Sequence, residues 1–441
     1  MSLSGAEQYM LELINRARLD PIAEAQRYNL ALNTDLDANA ISNVAKQVLA
    51  PSAVLDRAAE GHSEWMLEAD VFSHTGAADS SPGDRIEDAG YKFTGAWTWR
   101  ENLAWIGSTG TLDLNIAIAA HHEDLYRSEG HRLTTFASNT REVGIFQAHG
   151  EFTVGGMDYD SSTVTLNFAS SGTDVFVTGV AYTDLDGDAF YSIGEGQSDV
   201  WILVDGANTT TTASGGYVLG IRAAEDLQVL VGQGGITLAT LQVDASGGNV
   251  KVDVVTATDN SQNLMVSADT VLVSGIPDAV LLGSDNLTLT GNDDANRLTG
   301  NAGENILIGA GGDDVLSGGG RRADTIGADE ANADILQGGA GDDHLIGELG
   351  ADRLDGGLGN DLLVGGGGRD TFVFADGDDV IADFTNNVDM IELVTDATIA
   401  EVMAAGEIIG DTAVFNFGNG SSLTVVGVND LSILENDFLI V

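Results

Sequence analysis

Residues 1–171 carry the clearest helical periodicity in the chain. Apolar side chains recur there at spacings of three and four, the pattern of a helix with one buried face, and short β-branched runs follow. The predicted elements are a helix ended by Pro21, helices over residues 55–66 and 112–126, and strands over residues 143–146 and 163–168. This mixture predicts an α/β domain.

Residues 172–260 lose the helical pattern. Short β-branched runs such as residues 201–204 and 216–219 alternate with turns of glycine, aspartate and serine. Regularly spaced short strands of this kind are typical of a small antiparallel sandwich. We therefore predict a β-sandwich as the second domain.

Residues 261–373 contain a repeat of nine positions. Glycine recurs at 291, 300, 309 and 318 and again at 338, 347, 356 and 365, with one long unit at 318–337. The eighth position is apolar, at Leu298, Leu307, Leu316, Leu345, Leu354, Leu363 and Phe372. A flexible linker does not place an apolar residue at every ninth position, so the pattern predicts stacked turns around a core. The long unit, with Arg321 and Arg322, predicts a bulged insertion.

The sixth position of each repeat offers an oxygen ligand. It is occupied by Asn296, Asn305, Asp314, Asp343, Asp352, Asp361 and Asp370. Glycines permit turns at positive φ that expose carbonyl groups, and aspartate adds the hard anionic oxygen that calcium prefers. We predict calcium ligands at Asp314, Asp343, Asp352, Asp361 and Asp370. Calcium should be weaker or absent at the two asparagines.

Composition supports a cation partner. The chain has 68 acidic and 18 basic residues, a net charge of −50, which argues against nucleic acid and anionic membranes as partners. Carboxylates at this density repel one another unless cations lie among them. The absence of cysteine excludes disulfides and thiolate sites. No apolar run is long enough to predict a membrane span, and no N-terminal export signal is visible.

The nine-residue repeat resembles the repeat-in-toxin (RTX, hemolysin-type) β-roll. Residues 338–346 and 356–364 fit its glycine-and-aspartate pattern at every defined position. Residues 374–441, β-rich with one helical patch at 399–405, resemble the C-terminal cap and uncleaved signal of proteins that use the type I secretion machinery. This resemblance implies a bacterial protein that is exported unfolded and folds outside the cell, where calcium is plentiful.

A second calcium site is predicted in the sandwich. Residues 184–195 place oxygens at positions 1, 3, 5 and 12 of an EF-hand-like loop, with a backbone carbonyl at position 7. The expected ligands are Asp184, Asp186, Asp188, Phe190 and Glu195. Ala189 departs from the usual glycine at position 6. The segment resembles the calcium-binding B-type repeats of bacterial surface adhesins, which implies a sandwich carrying the loop.

Several separate blocks in residues 5–170 resemble the CAP (SCP-like) superfamily. These blocks are Phe72-Ser73-His74-Thr75-Gly76, Arg100-Glu101-Asn102-Leu103-Ala104 and Ser128-Glu129-Gly130-His131-Arg132. The resemblance implies an α-β-α sandwich with a large cleft, and it places His74, Glu101 and His131 in that cleft. The family's second glutamate has no clear counterpart, and His122 or Glu123 lies nearest its place.

The cleft residues leave three functions open. Two imidazoles facing a carboxylate can transfer protons or hold zinc between His74 and His131. The resemblance favours a binding protein whose cleft takes a small amphiphile, a peptide or a surface component. The alternatives are a metal-assisted hydrolase, peptidase-like, with Glu101 as general base, and a purely adhesive or matrix protein.

Overall fold

The computed structural model describes residues 2–320, 332–417 and 420–441. The chain is multidomain and mostly β, and it divides into two compact units. The first comprises residues 1–237 and 244–262, and the second comprises residues 238–243 and 263–441. The finer division predicted from composition, into residues 1–171, 172–260, 261–373 and 374–441, stays a prediction. None of the described helices is long and apolar enough to cross a membrane.

The N-terminal part of the first unit combines six helices with a four-stranded sheet. The helices are α1 (Gly5–Leu19), α2 (Pro21–Arg27), α3 (Ala53–Glu68), α4 (Pro82–Asp88), α5 (Leu114–Arg127) and α6 (Glu129–Thr135). The strands are β1 (Ala50–Pro51), β2 (Thr98–Ser108), β3 (Glu142–Val154) and β4 (Met157–Ser170), in the order β1-β3-β4-β2. The three predicted helices and both predicted strands are present, and α2, α4 and α6 were not predicted.

Local signals in the sequence fix the ends of α1 and the start of α2. Ser4 and Glu7 form a capping box at the N-terminus of α1, each bonding the other's backbone N–H. Asp20 then ends α1 and caps α2, whose first residue is Pro21. Proline tolerates this position because its missing N–H would have no partner there. The predicted stop at Pro21 is therefore also the start of a helix.

Seven strands follow in residues 175–257. They are β5 (Val175–Asp184), β6 (Val200–Val204), β7 (Ala207–Thr210), β8 (Gly216–Ile221), β9 (Leu227–Gln233), β10 (Ile236–Val243) and β11 (Val250–Ala257). Strand β5 pairs with β8 antiparallel and with β11 parallel, and β6 pairs with β7 and β9 antiparallel. Residues 238–243 of β10 belong to the second unit.

The second unit is a parallel roll of short strands. They are β12 (Gln262–Val266), β13 (Thr270–Gly275), β14 (Asp278–Leu281), β15 (Thr288–Thr290), β16 (Arg297–Thr299), β17 (Ile306–Gly311), β18 (Val315–Ser317), β19 (Ile335–Ala340), β20 (His344–Ile346), β21 (Leu349–Gly350), β22 (Arg353–Leu358), β23 (Leu362–Val364), β24 (Gly367–Gly368), β25 (Thr371–Phe374), β26 (Asp378–Ile381) and β27 (Met390–Leu393). Strands from alternate nine-residue units stack into two parallel sheets. One coil therefore needs two repeats.

The apolar eighth position of the repeat forms the core of the roll. Leu298 pairs with Leu316 and Leu345 with Leu363, and each of these four side chains is at most 1% exposed. The offset between paired residues is 18, except across the long unit, where Leu316 pairs with Leu345. Residues 321–331, including the predicted insertion at Arg321 and Arg322, lie outside the described residues.

The end of the chain closes the roll with α7 (Ile399–Ala405), β28 (Gly406–Ile408), β29 (Thr412–Asn416), β30 (Ser422–Val426) and β31 (Phe438–Ile440). The predicted helical patch at residues 399–405 coincides with α7. Strands β28, β29 and β30 are antiparallel neighbours, and β30 pairs with β26 of the roll. Phe415 and Phe438 meet edge to face, with ring centroids 5.3 Å apart. Both side chains are buried, so they form part of the core of this segment.

Candidate calcium sites and the N-terminal cleft

Carboxylates at the sixth repeat position form two ladders along the roll. One runs through Asn296, Asp314, Asp343, Asp361 and Asp379, and the other through Asn305, Asp334, Asp352, Asp370 and Asp389. In each ladder the backbone N–H donates to the Oδ1 atom of the corresponding residue one coil later, as from Asp314 to Asp343 at 2.7 Å. Each of these hydrogen bonds therefore holds the Oδ1 atom of one aspartate in place.

In five of these aspartates the second oxygen is buried without a partner. Among the described residues, Oδ2 has no hydrogen bond in Asp314, Asp334, Asp343, Asp352 and Asp361. A buried anionic oxygen without a donor is costly, and a hard cation removes that cost. The chemistry of this donor set therefore fits calcium, which these side chains would hold together with backbone carbonyls of the glycine turns.

Glycine at the first repeat position makes room for the carboxylate. A Cβ atom on Gly309 would lie 2.1 Å from Asp314 Oδ2, and one on Gly338 would lie 2.2 Å from Asp343 Oδ2. Real Cβ atoms never approach oxygen this closely. The spacing of five residues between glycine and aspartate therefore reflects a direct steric requirement.

Burial also changes the acidity of the ladder. It raises the pKa of Asp343 to about 6, of Asp334 to about 7 and of Asp352 to about 8, and neighbouring carboxylates add to the effect. The carboxylates are thus held in protonated form at pH values where free aspartate is ionised. A cation is needed to ionise them all near neutral pH.

Three ladder members were missed by the sequence analysis: Asp334, Asp379 and Asp389. A signal existed for the first two, because Asp334 lies nine residues before Asp343 and Asp379 lies nine after Asp370. The long unit hid Asp334, because the repeat glycines at 318 and 338 are 20 residues apart there. Asp389 lies ten residues after Asp379 and carries no such signal.

The loop of residues 184–195 brings its acidic side chains together. Oxygen atoms of Asp184, Asp186 and Asp188 lie within 4.8 Å of one another, and they are the one group of three or more His, Cys, Asp or Glu side chains so arranged among the described residues. Asp184 accepts hydrogen bonds from the N–H groups of Gly187 and Ala189 at 2.8 and 3.1 Å. Burial and the two neighbouring charges raise the pKa of Asp188.

The other two predicted ligands of this loop, Phe190 and Glu195, lie outside the cluster of three aspartates. Glu195 is 5% exposed and accepts from the N–H groups of Leu185 and Ser192 at 2.8 and 2.7 Å. Phe190 packs its ring under Arg16 of α1, 4.6 Å from the guanidinium, and edge to face with Tyr9 at 6.1 Å. The loop is therefore anchored on α1 by its aromatic side chain.

In the N-terminal part, three elements converge on Glu101. Glu101 of β2 has a side chain only 1% exposed, and its Oε1 bonds His74 Nδ1 at 2.9 Å. Its Oε2 accepts from Arg85 of α4 at 2.6 Å. Arg85 also donates to the backbone carbonyl of His74 at 3.1 Å. The carboxylate is thereby held between an imidazole and a guanidinium.

His131 of α6 lies at one side of an apolar groove. Burial, with a contribution from His74, lowers the pKa of His131, so its imidazole is neutral at neutral pH. The groove has a volume of about 410 Å³. Its apolar lining side chains include Phe72, Leu103, Trp105, Leu125 and Phe152. An apolar surface therefore adjoins the polar cluster.

His122 and Glu123 have partners other than His74 and Glu101. His122 is 3% exposed and its Nδ1 bonds the Tyr28 hydroxyl at 2.8 Å, and burial lowers its pKa to about 4. Glu123 forms an exposed pair with Arg127 at 2.7 Å. Neither makes a described contact with His74 or Glu101. Counting along α5 could not show this, because His122 turns toward α2.

The contacts of Glu101 give no support to the predicted zinc site. Both carboxylate oxygens already have partners, and one partner is the cationic Arg85. A guanidinium beside the carboxylate disfavours a second cation there. His74 and His131 also do not belong to any described group of three metal-ligating side chains.

Comparison with protein families gives one match. Residues 290–320, 330–363 and 350–381 match the RTX calcium-binding nonapeptide repeat (4 copies). The match confirms the prediction that this segment consists of RTX calcium-binding repeats. It covers the ladder aspartates from Asp314 to Asp379. No curated protein matches the chain.

Solved structures show only distant similarity. An extracellular protein containing a SCP domain from Bacillus anthracis is 20% identical over 37% of this chain and 40% of its own, with a TM-score of 0.23. An outer surface protein from Borrelia burgdorferi is 15% identical over 39% and 97%, with a TM-score of 0.24. An extracellular lipase from Serratia marcescens is 19% identical over 38% and 40%, with a TM-score of 0.22. At these TM-scores none of the three carries an argument about function.

Proposed function

We propose that this chain is a secreted calcium-binding protein whose roll folds when calcium occupies the aspartate ladders. The observation that carries the proposal is the set of buried Oδ2 atoms without partners. Without calcium, each ionised aspartate in the ladder opposes folding. With calcium at about 100 times its dissociation constant, one site stabilises the folded state by about 2.7 kcal/mol. Several sites together therefore decide whether the roll is folded.

Secretion follows from the same chemistry. Calcium is scarce in the cytosol and plentiful outside, so the roll would stay unfolded until export. We propose the type I secretion machinery as the partner that carries the unfolded chain. The loop of residues 184–195 is proposed as an additional calcium site, with Asp184, Asp186, Asp188, the Phe190 carbonyl and Glu195 as its ligands.

The second part of the proposal concerns the N-terminal cleft. We propose a CAP-like α-β-α sandwich in which the cleft binds a small amphiphile, a peptide or a surface component. An apolar groove next to the half-buried His131 and the His74–Glu101 pair suits a ligand with one apolar and one polar end. A hydrolase would need a metal at these histidines, and the Arg85 guanidinium works against it. An adhesive protein would not need the groove.

Hydrogen exchange of the full chain, with and without calcium, tests the role of the ladders. In chelator, the backbone amides of Asp314, Asp343 and Asp352 should exchange freely, and millimolar calcium should protect them cooperatively. Amides of β3 and β4 should be protected in both conditions and serve as the internal control. Equal protection of the roll amides in both conditions would contradict the proposal.

Calorimetry with dodecylphosphocholine below its micelle concentration tests the cleft. His131→Ala and Phe72→Ala should each weaken binding, because they remove the polar and apolar ends of the groove. His149→Ala is the matched control, since His149 is exposed and pairs with Asp160 away from the groove lining. Zinc-dependent hydrolysis of a peptide library would support the hydrolase instead.

A further inference from the structure

A second cavity lies beside α3 and α4. It has a volume of about 480 Å³ and shares no lining residue with the groove at His131. This volume is within the range of small-molecule sites. The side chains that can recognise a ligand there are Arg57, His62, Trp65, Ser80, Arg85 and Asp88.

Two buried polar atoms in this cavity lack partners. His62 is 1% exposed, and its Nε2 bonds the carbonyl of Ser73 at 2.9 Å. Since a carbonyl can only accept, Nε2 carries the proton and Nδ1 is a free acceptor. Nδ1 has no hydrogen bond, and neither does the Nε of Arg85. The side chains that line the cavity therefore carry one unused acceptor and one unused donor, both of them buried.

Gly76, the neighbour of the lining residue Ala77, leaves a space beside three side chains of the lining. A Cβ atom on Gly76 would lie 2.9 Å from Ser80 Oγ, 3.0 Å from Arg85 Nη1 and 3.2 Å from His62 Nδ1. The φ of Gly76 is −96°, a value that any residue adopts, so the backbone conformation does not require glycine. The missing side chain instead leaves room beside the unpartnered His62 Nδ1, while Arg85 Nη1 already donates to two backbone carbonyls.

Charge and shape narrow the class of ligand. Two guanidinium groups and one carboxylate line the cavity, although the chain as a whole carries a net charge of −50. Arg85 is paired with Glu101, so Arg57 is the guanidinium that can pair with an anionic ligand. The exposed Arg57 is held in place by bonds to the carbonyls of Ala53 and Ala89, at 3.0 and 3.1 Å. Trp65 stacks on His62 with ring centroids 5.5 Å apart and adds a flat apolar wall. Sugar rings pack well against such a wall.

We propose that this cavity binds a uronic acid, a sugar that carries a carboxylate. The carboxylate pairs with Arg57, the ring lies against Trp65, and a hydroxyl donates to His62 Nδ1 while accepting from Arg85. Arg85 also bonds Glu101, so one side chain joins this cavity to the cleft. The site does not depend on what the cleft binds.

Calorimetry on the calcium-saturated full chain tests the site, with galacturonate as the probe. Galacturonate should bind saturably, and galactose and acetate should each bind at least tenfold more weakly. Galactose lacks the carboxylate, and acetate lacks the ring and hydroxyls. Absence of saturable galacturonate binding, or equal binding of galactose, would overturn the proposal.

Two variants locate the site. Gly76→Ala fills the space among the three polar atoms and should weaken galacturonate binding at least tenfold. Gly247→Ala is the matched control, since its new methyl group meets no atom within 4 Å, and it should bind normally. Arg57→Gln, a surface change, should also weaken binding at least tenfold and decides the matter if Gly76→Ala misfolds. Wild-type affinity in Arg57→Gln would overturn the proposal.

Discussion

The carboxylate oxygens of the aspartates in the roll and in the loop of residues 184–195 differ in their hydrogen-bond partners. In the roll, Asp343 has one oxygen on a backbone N–H and one buried without a partner. In the loop of residues 184–195, both oxygens of Asp184 accept from N–H groups of the loop itself. Calcium in the roll would use an oxygen that has no other partner. Calcium in the loop would share oxygens with backbone donors.

Ala189 occupies a backbone position that favours glycine. Its φ is 58°, at the sixth position of the predicted calcium loop, where glycine is usual. The left-handed conformation costs an alanine about 1–2 kcal/mol, and glycine avoids this cost. Part of the gain is offset because a chain with glycine has more conformational entropy in the unfolded state. Ala189→Gly should therefore raise the free energy of unfolding by about 0.5–1 kcal/mol, as measured in urea. Ala207→Gly, in β7 at an ordinary φ, should lower it instead, and a similar loss in both variants would contradict the prediction.

A substitution at Asp334 tests the ladder at a position that was not predicted from the sequence. Asp334→Asn removes a buried charge and keeps the size. The calcium concentration needed to fold the roll, followed by circular dichroism, should rise roughly tenfold, which corresponds to about 1.4 kcal/mol. Without calcium, the variant roll should unfold less readily than the wild type, because one of the five buried oxygens without a partner no longer carries a charge. Asp294→Asn, at an exposed position of the roll, should change neither property.

Helices and strands with a regular spacing of apolar residues could be predicted from the sequence. Short helices that are marked only by a capping motif could not. The nine-residue period predicted the leucines of the core, because the apolar side chain at the eighth position of each repeat is buried in the roll. It did not show that two repeats make one coil, since pairing at an offset of 18 depends on how the strands stack. The short helix α4 carries a Ser81–Asp84 capping box but only one buried residue, Ile86, so no periodic pattern marked it. Arg85, which bonds Glu101, was missed with it.

The stacked strands of the roll should respond to pH in opposite ways with and without calcium. Free aspartate titrates near pH 3.9, whereas burial raises the pKa of Asp361 to about 6 and that of Asp379 to about 7. Between about pH 4 and pH 7, the folded state of the metal-free roll therefore binds more protons than the unfolded state. Its stability should be highest near pH 4 and should fall until about pH 8.

Calcium affinity should follow the reverse course, because protons compete with calcium for the same oxygens. The calcium midpoint measured by circular dichroism should rise as the pH is lowered from 8 to 5. Far-UV circular dichroism of the calcium-stripped chain at both pH values completes the test, because a roll that is largely unfolded without calcium near neutral pH should gain β-structure at pH 5. A stripped roll that is more stable at pH 8 than at pH 5 would contradict the prediction.

At the scale of the whole molecule, the first compact unit joins parts that composition separates at residue 171. Asn249, which precedes β11, donates to the carbonyls of Val48 and Arg141 at 2.9 and 2.7 Å, and Ser214 donates to the carbonyl of Leu3 at 3.0 Å. Composition and periodicity report what each segment can bury, but not which segments bury each other. The sequence could therefore predict helices and strands within each part and not the contacts between the parts.

A buried charged cluster around Lys251 also joins the two parts. Its ammonium bonds Glu12 of α1 at 2.9 Å and also Asp253 of β11, and all three residues are less than 5% exposed. Burial lowers the pKa of Lys251, but the two carboxylates outweigh it and raise the pKa, so the side chain is charged. Lys251→Met would leave two buried carboxylates facing each other without a cation.

Removing one partner of a buried ion pair costs about 3–5 kcal/mol. Lys251→Met should therefore lower the free energy of unfolding of the first unit by about that amount, measured in urea with β4 amide exchange as the local probe. Lys92→Met makes the same change at an exposed position and should have little effect. The triple variant Glu12→Leu, Lys251→Met, Asp253→Leu removes all three charges and should recover most of the loss, because no unpaired charge stays buried. A Lys251→Met variant as stable as Lys92→Met would mean that the cluster does not hold α1 to the strands.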